Sequence, residues 1–181
     1  MRSLVLALAL LGGPALAQEE PNRSVTADLD ADGRIETYTL IEGGTEAMDL
    51  MVDDGTGWAT ARHVAWDGGS PGQRASLALN EAGSVVIESG NDSIGRDRWH
   101  LAVTLAHRDG EFRIAGLTYD RRDTLEPETG WGQCDLNLLS GRGTTDGPDG
   151  PSAFDAPEAA PPLWDWDESR LPEFLPAECF G

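Results

Sequence analysis

The chain has 181 residues, and its 13 basic residues, all of them arginine, are outnumbered by 32 acidic ones, so the formal net charge is -19 and the isoelectric point is near 4.2. This charge argues against a nucleic-acid partner, because phosphate binding requires a basic face. The apolar share of 39% is ordinary for a soluble protein and predicts one domain with a modest core.

The first residues have the pattern of a secretory signal peptide, 1–17. Arg2 is followed by an apolar run at 4–11 and by the small-x-small sequence Ala15-Leu16-Ala17. The run is far shorter than the roughly 20 apolar residues of a membrane span. We therefore expect cleavage after Ala17, which leaves 164 residues with a net charge of -20, no membrane attachment, and a periplasmic or secreted location.

The mature chain has two cysteines, Cys134 and Cys179. In an oxidising compartment an even pair is first interpreted as a disulfide. A cysteine nucleophile and a metal thiolate are the alternatives, but the chain has no Cys-x-x-Cys spacing to support either. We therefore predict a Cys134–Cys179 disulfide.

Short β-rich runs alternate with glycine and aspartate turns over 34–140, which is typical of antiparallel strands. The clearest predicted hairpin joins 99–105 to 112–117 through Asp109 and Gly110. We predict a mainly β fold, an antiparallel sheet arranged as a meander, a sandwich or a partly open barrel, within a domain at 18–141. The predicted strands are 34–41, 47–52, 57–65, 75–80, 84–89, 98–107, 111–119 and 134–139.

The remaining segment, 142–181, differs in composition and holds seven of the eleven prolines. Its acidic, glycine- and proline-rich beginning predicts an extended linker over 141–162. The end of the segment has too many large rings to leave in water, so we expect this aromatic tail to dock on the β domain. A partner-binding tail is the alternative. The rings are those of Trp164, Trp166, Phe174 and Phe180.

The segment 28–36, Asp-Leu-Asp-Ala-Asp-Gly-Arg-Ile-Glu, carries the most specific chemical signal. Alternate carboxylates can converge, Gly33 permits a sharp turn, and Arg34 can offer its main-chain carbonyl. Hard oxygen ligands at this spacing suit Ca²⁺. The segment therefore predicts a structural Ca²⁺ site, and the alternative is an acidic turn that needs no metal. The predicted ligands are Asp28, Asp30, Asp32, Arg34 and Glu36.

This segment resembles the D-x-D-x-D-G loops of EF-hands, dockerins and FG-GAP or VCBS-type β domains. An EF-hand also needs an acidic ligand at its twelfth position, where this chain has Thr39, so the shorter β-type loop fits better. Over 23–141 the chain is also similar to uncharacterised exported proteins of proteobacteria, a resemblance that implies export and a β fold but no activity. The motifs behind it are the acidic loop and the segments 83–87, 95–96, 112–116 and 134–138.

Three patterns fail to predict a catalytic or zinc site. The segment 68–72 fits G-x-S-x-G, but Pro71 has no N–H to donate to an oxyanion. His63, His100 and His107 are too scattered for a zinc set. Carboxylate pairs are uninformative, because 32 acids produce chance pairs.

Two runs mix arginine with aspartate, at 96–98 and 120–123. We expect solvated ion pairs or loop-ordering contacts here rather than the alternative, an anion site.

With no coherent catalytic set beside the predicted Ca²⁺ loop and disulfide, the sequence favours an exported, non-enzymatic binding or accessory domain, monomeric, with a protein or glycan ligand. Two rival hypotheses remain open. One is a hydrolase of cell-wall glycan or peptide that uses carboxylates not yet singled out. The other is an inhibitor or immunity-type protein whose acidic surface covers a basic enzyme, because opposite charge would steer the two together.

Overall fold

The computed structural model of the protein describes residues 21–157 and 159–181. In that part of the chain, eleven strands form two antiparallel sheets, which confirms the predicted mainly β class. The predicted signal peptide, 1–17, lies outside the described residues. Over the described ranges, no helix has the length and apolar character needed to cross a membrane.

The first sheet has four strands in the order β1-β2-β3-β4, so each strand pairs with its neighbour along the chain. A bulge interrupts the β3–β4 pairing, because 62–64 lie opposite the single residue Asp49. His63, inside the bulge, has a φ of 52°. The strands are β1 (Ser24–Ala27), β2 (Glu36–Gly44), β3 (Ala47–Asp53) and β4 (Trp58–Trp66).

The second sheet has seven strands in the order β11-β10-β9-β8-β7-β6-β5. Its longest hairpin turns at Asp109 and Gly110, whose φ values of 56° and 79° match the positive pair that a two-residue hairpin turn requires. The strands are β5 (Ser76–Leu79), β6 (Val85–Asn91), β7 (Asp97–Arg108), β8 (Glu111–Asp123), β9 (Trp131–Asn137), β10 (Arg142–Asp146) and β11 (Ser152–Asp155).

Both sheets bury side chains in one hydrophobic core. Tyr38 and Leu50 of the first sheet are completely buried. On β7 of the second sheet, Leu101, Val103 and Leu105 are at most 1% exposed, as their alternation predicts for one face of a strand. The side chains between them point to the outer face of the sheet.

The structure corrects the linker predicted for 141–162, because β10 and β11 lie in it. They form a hairpin on β9 at one edge of the second sheet, with Gly143 directly opposite Phe154. The sequence of β10 is polar apart from its glycine, so apolar alternation gives no signal for it. The side chains of β10 offer little apolar contact. The strand is stabilised instead by main-chain pairing with β9 and by the ring of Phe154, which packs over Gly143. Strand β1 was likewise not predicted.

After β11 the chain forms short helical turns. Trp166 and Phe174 are 2% and 1% exposed, their rings lie 5.8 Å apart, and Trp166 Nε1 donates to the Val64 carbonyl at 3.2 Å. Cys134 of β9 and Cys179 form the predicted disulfide, with Cα atoms 5.9 Å apart. The 3₁₀ turns are Leu163–Asp165, Glu168–Arg170 and Ala177–Cys179, and α1 (Leu171–Phe174) is a short α-helical turn.

Candidate functional site

The acidic loop, residues 28–36, connects β1 to β2 and brings the four predicted carboxylates together. One oxygen from each of them lies within 4.8 Å of the others, so the group could hold a metal ion. Strand pairing explains the convergence, since Ala27 pairs with Glu36 and the intervening residues must therefore reverse direction within a short loop. The four residues are Asp28, Asp30, Asp32 and Glu36.

Main-chain N–H groups hold the carboxylates of this loop in place. The Asp32 N–H donates to Asp30 Oδ1 at 3.0 Å, and the Gly33 N–H donates to Asp28 Oδ2 at 3.1 Å. The backbone turns through two positive φ values, 60° at Ala31 and 88° at Gly33. Glycine adopts this conformation at little cost, whereas alanine adopts it only when its surroundings fix the turn.

Glu36 anchors the acidic loop to the core. It is the first residue of β2 and is 1% exposed. Its Oε2 accepts from the Leu29 N–H at 2.9 Å and from the Tyr38 hydroxyl at 3.2 Å. Burial, and next the negative charge of Glu36, raise the pKa of Tyr38, so this hydroxyl remains a donor. Both hydrogen bonds reach Oε2.

Arg34 is the fifth predicted ligand residue, through its main-chain carbonyl. The contacts that it makes in the loop come instead from its main-chain N–H and its guanidinium group. Its N–H donates to Asp32 Oδ1 at 2.8 Å, and its guanidinium Nη2 lies 2.6 Å from Asp32 Oδ2. The N–H first, and then the guanidinium, hold the pKa of Asp32 below its ordinary range. A cation that binds Asp32 would compete with this exposed ion pair. The role of the Arg34 carbonyl stays a prediction.

A cavity of about 510 Å³ lies on the outer face of the second sheet; we call it the arginine cavity. The loop at 69–74 forms one wall, and β6, β7 and β8 form its floor. The charged residues that line it are Arg74, Glu88, Asp92, Arg98, Asp120 and Arg122, and His100 lies among them.

A second cavity, also of about 510 Å³, contains the partly buried carboxyl group of Glu168 and is called here the glutamate cavity. Glu168 accepts from the Trp66 N–H at 2.7 Å and from the Ser89 hydroxyl at 2.8 Å. Burial, partly offset by these hydrogen bonds, raises the pKa of Glu168 from 4.5 to about 7. Beside it, His63 Nδ1 lies 3.3 Å from Asp167 Oδ2. Shifted carboxyl groups of this kind mark candidate functional sites.

Sequence reasoning missed both cavities. Glu168 is 79 residues from Ser89 and 102 from Trp66, so no local pattern connects them. The three histidines lie apart, with His63 in the glutamate cavity, His100 in the arginine cavity and His107 against Phe112. Among the described residues, the acidic loop is the group of side chains found to suit a metal.

Compared with protein-family models, curated proteins and solved structures, the chain has no match. Function is therefore inferred from the sites, because a fold alone does not define one. Fold and site together define a disulfide-bonded β protein of two sheets, with an acidic loop whose carboxylates could hold a metal ion.

Proposed function

We propose that this chain is an exported, non-enzymatic binding or accessory domain, periplasmic or secreted, whose acidic loop binds Ca²⁺ structurally. The observation that carries the proposal is the convergence of four carboxylate oxygens within 4.8 Å. A disulfide accords with an oxidising compartment, and the net charge of -19 disfavours nucleic acid as a partner.

Electrostatics favours a cation in this loop. Two like charges about 4 Å apart repel by roughly 1 kcal/mol in water and about 4 kcal/mol at a protein surface. The Leu29, Asp32 and Gly33 N–H groups offset part of this cost, but each is only a partial charge. A divalent cation removes the repulsion directly and links β1 to the buried start of β2 at Glu36.

Ca²⁺ suits this loop better than Mg²⁺. Ca²⁺ accepts six to eight oxygen ligands in flexible geometry, whereas Mg²⁺ requires a tight octahedron and gives up its waters reluctantly. A loop that brings four carboxylates together on a single turn fits the ligand preference of Ca²⁺. Extracellular modules need only weak sites, with dissociation constants of about 10⁻⁴ to 10⁻³ M, because calcium is plentiful outside the cytoplasm.

Thermal unfolding tests this proposal. At ten times the dissociation constant, Ca²⁺ should stabilise the native state by about 1.4 kcal/mol. We therefore expect the melting temperature to be a few degrees higher in millimolar Ca²⁺ than in EDTA, with Mg²⁺ giving a smaller shift. Equal melting temperatures in Ca²⁺ and EDTA would contradict the proposal.

Two matched variants locate the effect. Asp30→Asn removes one charge but keeps the oxygen that accepts from the Asp32 N–H, so the turn itself is preserved. This variant should lose most of the calcium shift. Asp149→Asn removes the same charge at an exposed position outside the loop and should keep the whole shift. A calcium shift that survives in Asp30→Asn would place the binding elsewhere.

A cell-wall hydrolase is the second candidate, and the glutamate cavity favours it. Glu168 has a pKa of about 7, as a general acid needs, and Asp167 lies beside it. Incubation of peptidoglycan fragments with the parent protein and with Glu168→Gln tests this candidate. Turnover by the parent alone would support a hydrolase and contradict a non-enzymatic domain.

A further inference from the structure

Strand pairing brings two arginines face to face in the arginine cavity. Arg98 of β7 is directly opposite Arg122 of β8 on the outer face of the second sheet, and Arg74 lines the same cavity. Like charges at directly opposite positions destabilise a sheet. Three guanidinium groups lie in one cavity of an otherwise strongly acidic chain.

Acidic side chains lie within ion-pair distance of two of these three arginines, although the one beside Arg74 also pairs more closely with Arg23. Arg74 Nη1 lies 3.4 Å from Asp67 Oδ1, and Arg122 forms an ion pair with Asp92. Arg98 differs from both. Its Nη1 is shielded from solvent and has no hydrogen-bond partner among the described residues. A buried donor left without an acceptor is costly, more so when it is charged.

The cavity also offers acceptors for hydroxyl groups. The carboxylates of Glu88, Asp92 and Asp120 line it together with the arginines. Asp120 lies 3.4 Å from His100 Nδ1, and Glu88 accepts from the Ser76 hydroxyl at 2.9 Å. Gly90 leaves part of the floor without a side chain. A ligand that combines one anionic group with several hydroxyls would match both kinds of group.

We propose that the arginine cavity binds a hydroxylated oxyanion, a sugar acid or a sugar phosphate, whose anionic group is held by the guanidinium of Arg98. Arginine presents its N–H groups as a planar fork that matches carboxylate and phosphate oxygens. Arg122 and Arg74 line the same cavity beside their acidic partners, and the carboxylates accept from ligand hydroxyls. The arginine cavity is separate from the acidic loop, so ligand binding in the cavity can be tested independently of calcium binding.

The test is an NMR titration of the full ¹⁵N-labelled chain with three sugars that differ at one carbon: D-glucuronate, D-glucose 6-phosphate and D-glucose. The titration is run at about 0.15 M ionic strength, where the Debye length is about 8 Å and the repulsion by the net negative charge is screened. We expect saturable shifts at amides of 69–74 and of β6 to β8 with at least one of the two anions, and at least tenfold weaker shifts with glucose. The preferred anion distinguishes a sugar acid from a sugar phosphate.

Arg98→Met keeps the aliphatic stem and removes the cation, so it should weaken binding of the preferred anion at least tenfold. Arg142→Met makes the same change at an exposed position on β10, outside the cavity, and should bind within about twofold of the parent. The spectrum of each variant verifies its fold. Equal binding of glucose and both anions, no binding at all, or unchanged binding by Arg98→Met would overturn the proposal.

Discussion

Reduction of the Cys134–Cys179 disulfide is expected to lower the free energy of unfolding by about 4 kcal/mol, the chain-entropy value for a loop of this length. The two cysteines are 45 residues apart, and both are at most 1% exposed. The loop that they close contains β10, β11 and the helical turns of the C-terminal segment. Without the bond, the unfolded chain has more conformational entropy, because this loop is no longer closed.

Urea unfolding of the oxidised and the reduced parent protein measures this effect, because reduction removes no side-chain atoms. Cys134→Ala with Cys179→Ala should lose as much or more, since the double variant also deletes two buried sulfur atoms. Phe180 contacts Tyr119 with ring centroids 5.3 Å apart, and this contact should loosen in both cases. A loss below about 1 kcal/mol would show that packing alone holds the C-terminal segment.

Glu168→Gln is expected to remove a pH dependence of stability between pH 4.5 and 7. The folded-state pKa of Glu168 is raised to about 7, so the native state keeps a proton that the unfolded state has already released. The resulting stability is complete below pH 4.5 and is lost as the pH rises through 7, by about 3 kcal/mol in all. Glutamine is neutral throughout and can still accept from the Trp66 N–H and the Ser89 hydroxyl.

Urea unfolding at several pH values measures this slope. Glu42→Gln, at an exposed position on β2, should keep the slope of the parent protein. Groups with lowered pKa values affect stability over a more acidic pH range. Arg96 lowers the pKa of Asp123 to about 2, so the stability that Asp123 contributes is present above pH 3.8 and is lost as the pH falls toward 2. An unchanged slope in Glu168→Gln would contradict the burial of this carboxyl.

Local signals made much of the fold predictable. The β7–β8 hairpin follows from alternation and an Asp-Gly turn, and Asp109 and Gly110 adopt the expected backbone. The acidic loop is equally local, so the convergence of its four carboxylates could be predicted from spacing alone. Both features depend on residues that lie close together along the chain.

Features that depend on distant residues could not be predicted. The pKa of Glu168 is raised because distant parts of the chain, among them the strands of Trp66 and Ser89, fold around its carboxyl group and remove it from water. The arginine runs were expected to form ion pairs, and Arg96 does lie 2.6 Å from Asp123. Arg98 differs, because its Nη1 has no hydrogen-bond partner among the described residues and the residue opposite it on β8 is another arginine, Arg122.

The most direct test of calcium binding by the acidic loop is an NMR titration of the full ¹⁵N-labelled chain with Ca²⁺. The amides of Leu29, Asp32, Gly33 and Arg34 donate to the carboxylates of the loop, so a bound cation must change their chemical shifts. We expect saturable shifts at these four amides by about 10 mM Ca²⁺, and weaker ones with Mg²⁺ at matched ionic strength. Unchanged shifts at these amides, or identical titrations with the two metals, would contradict a calcium site.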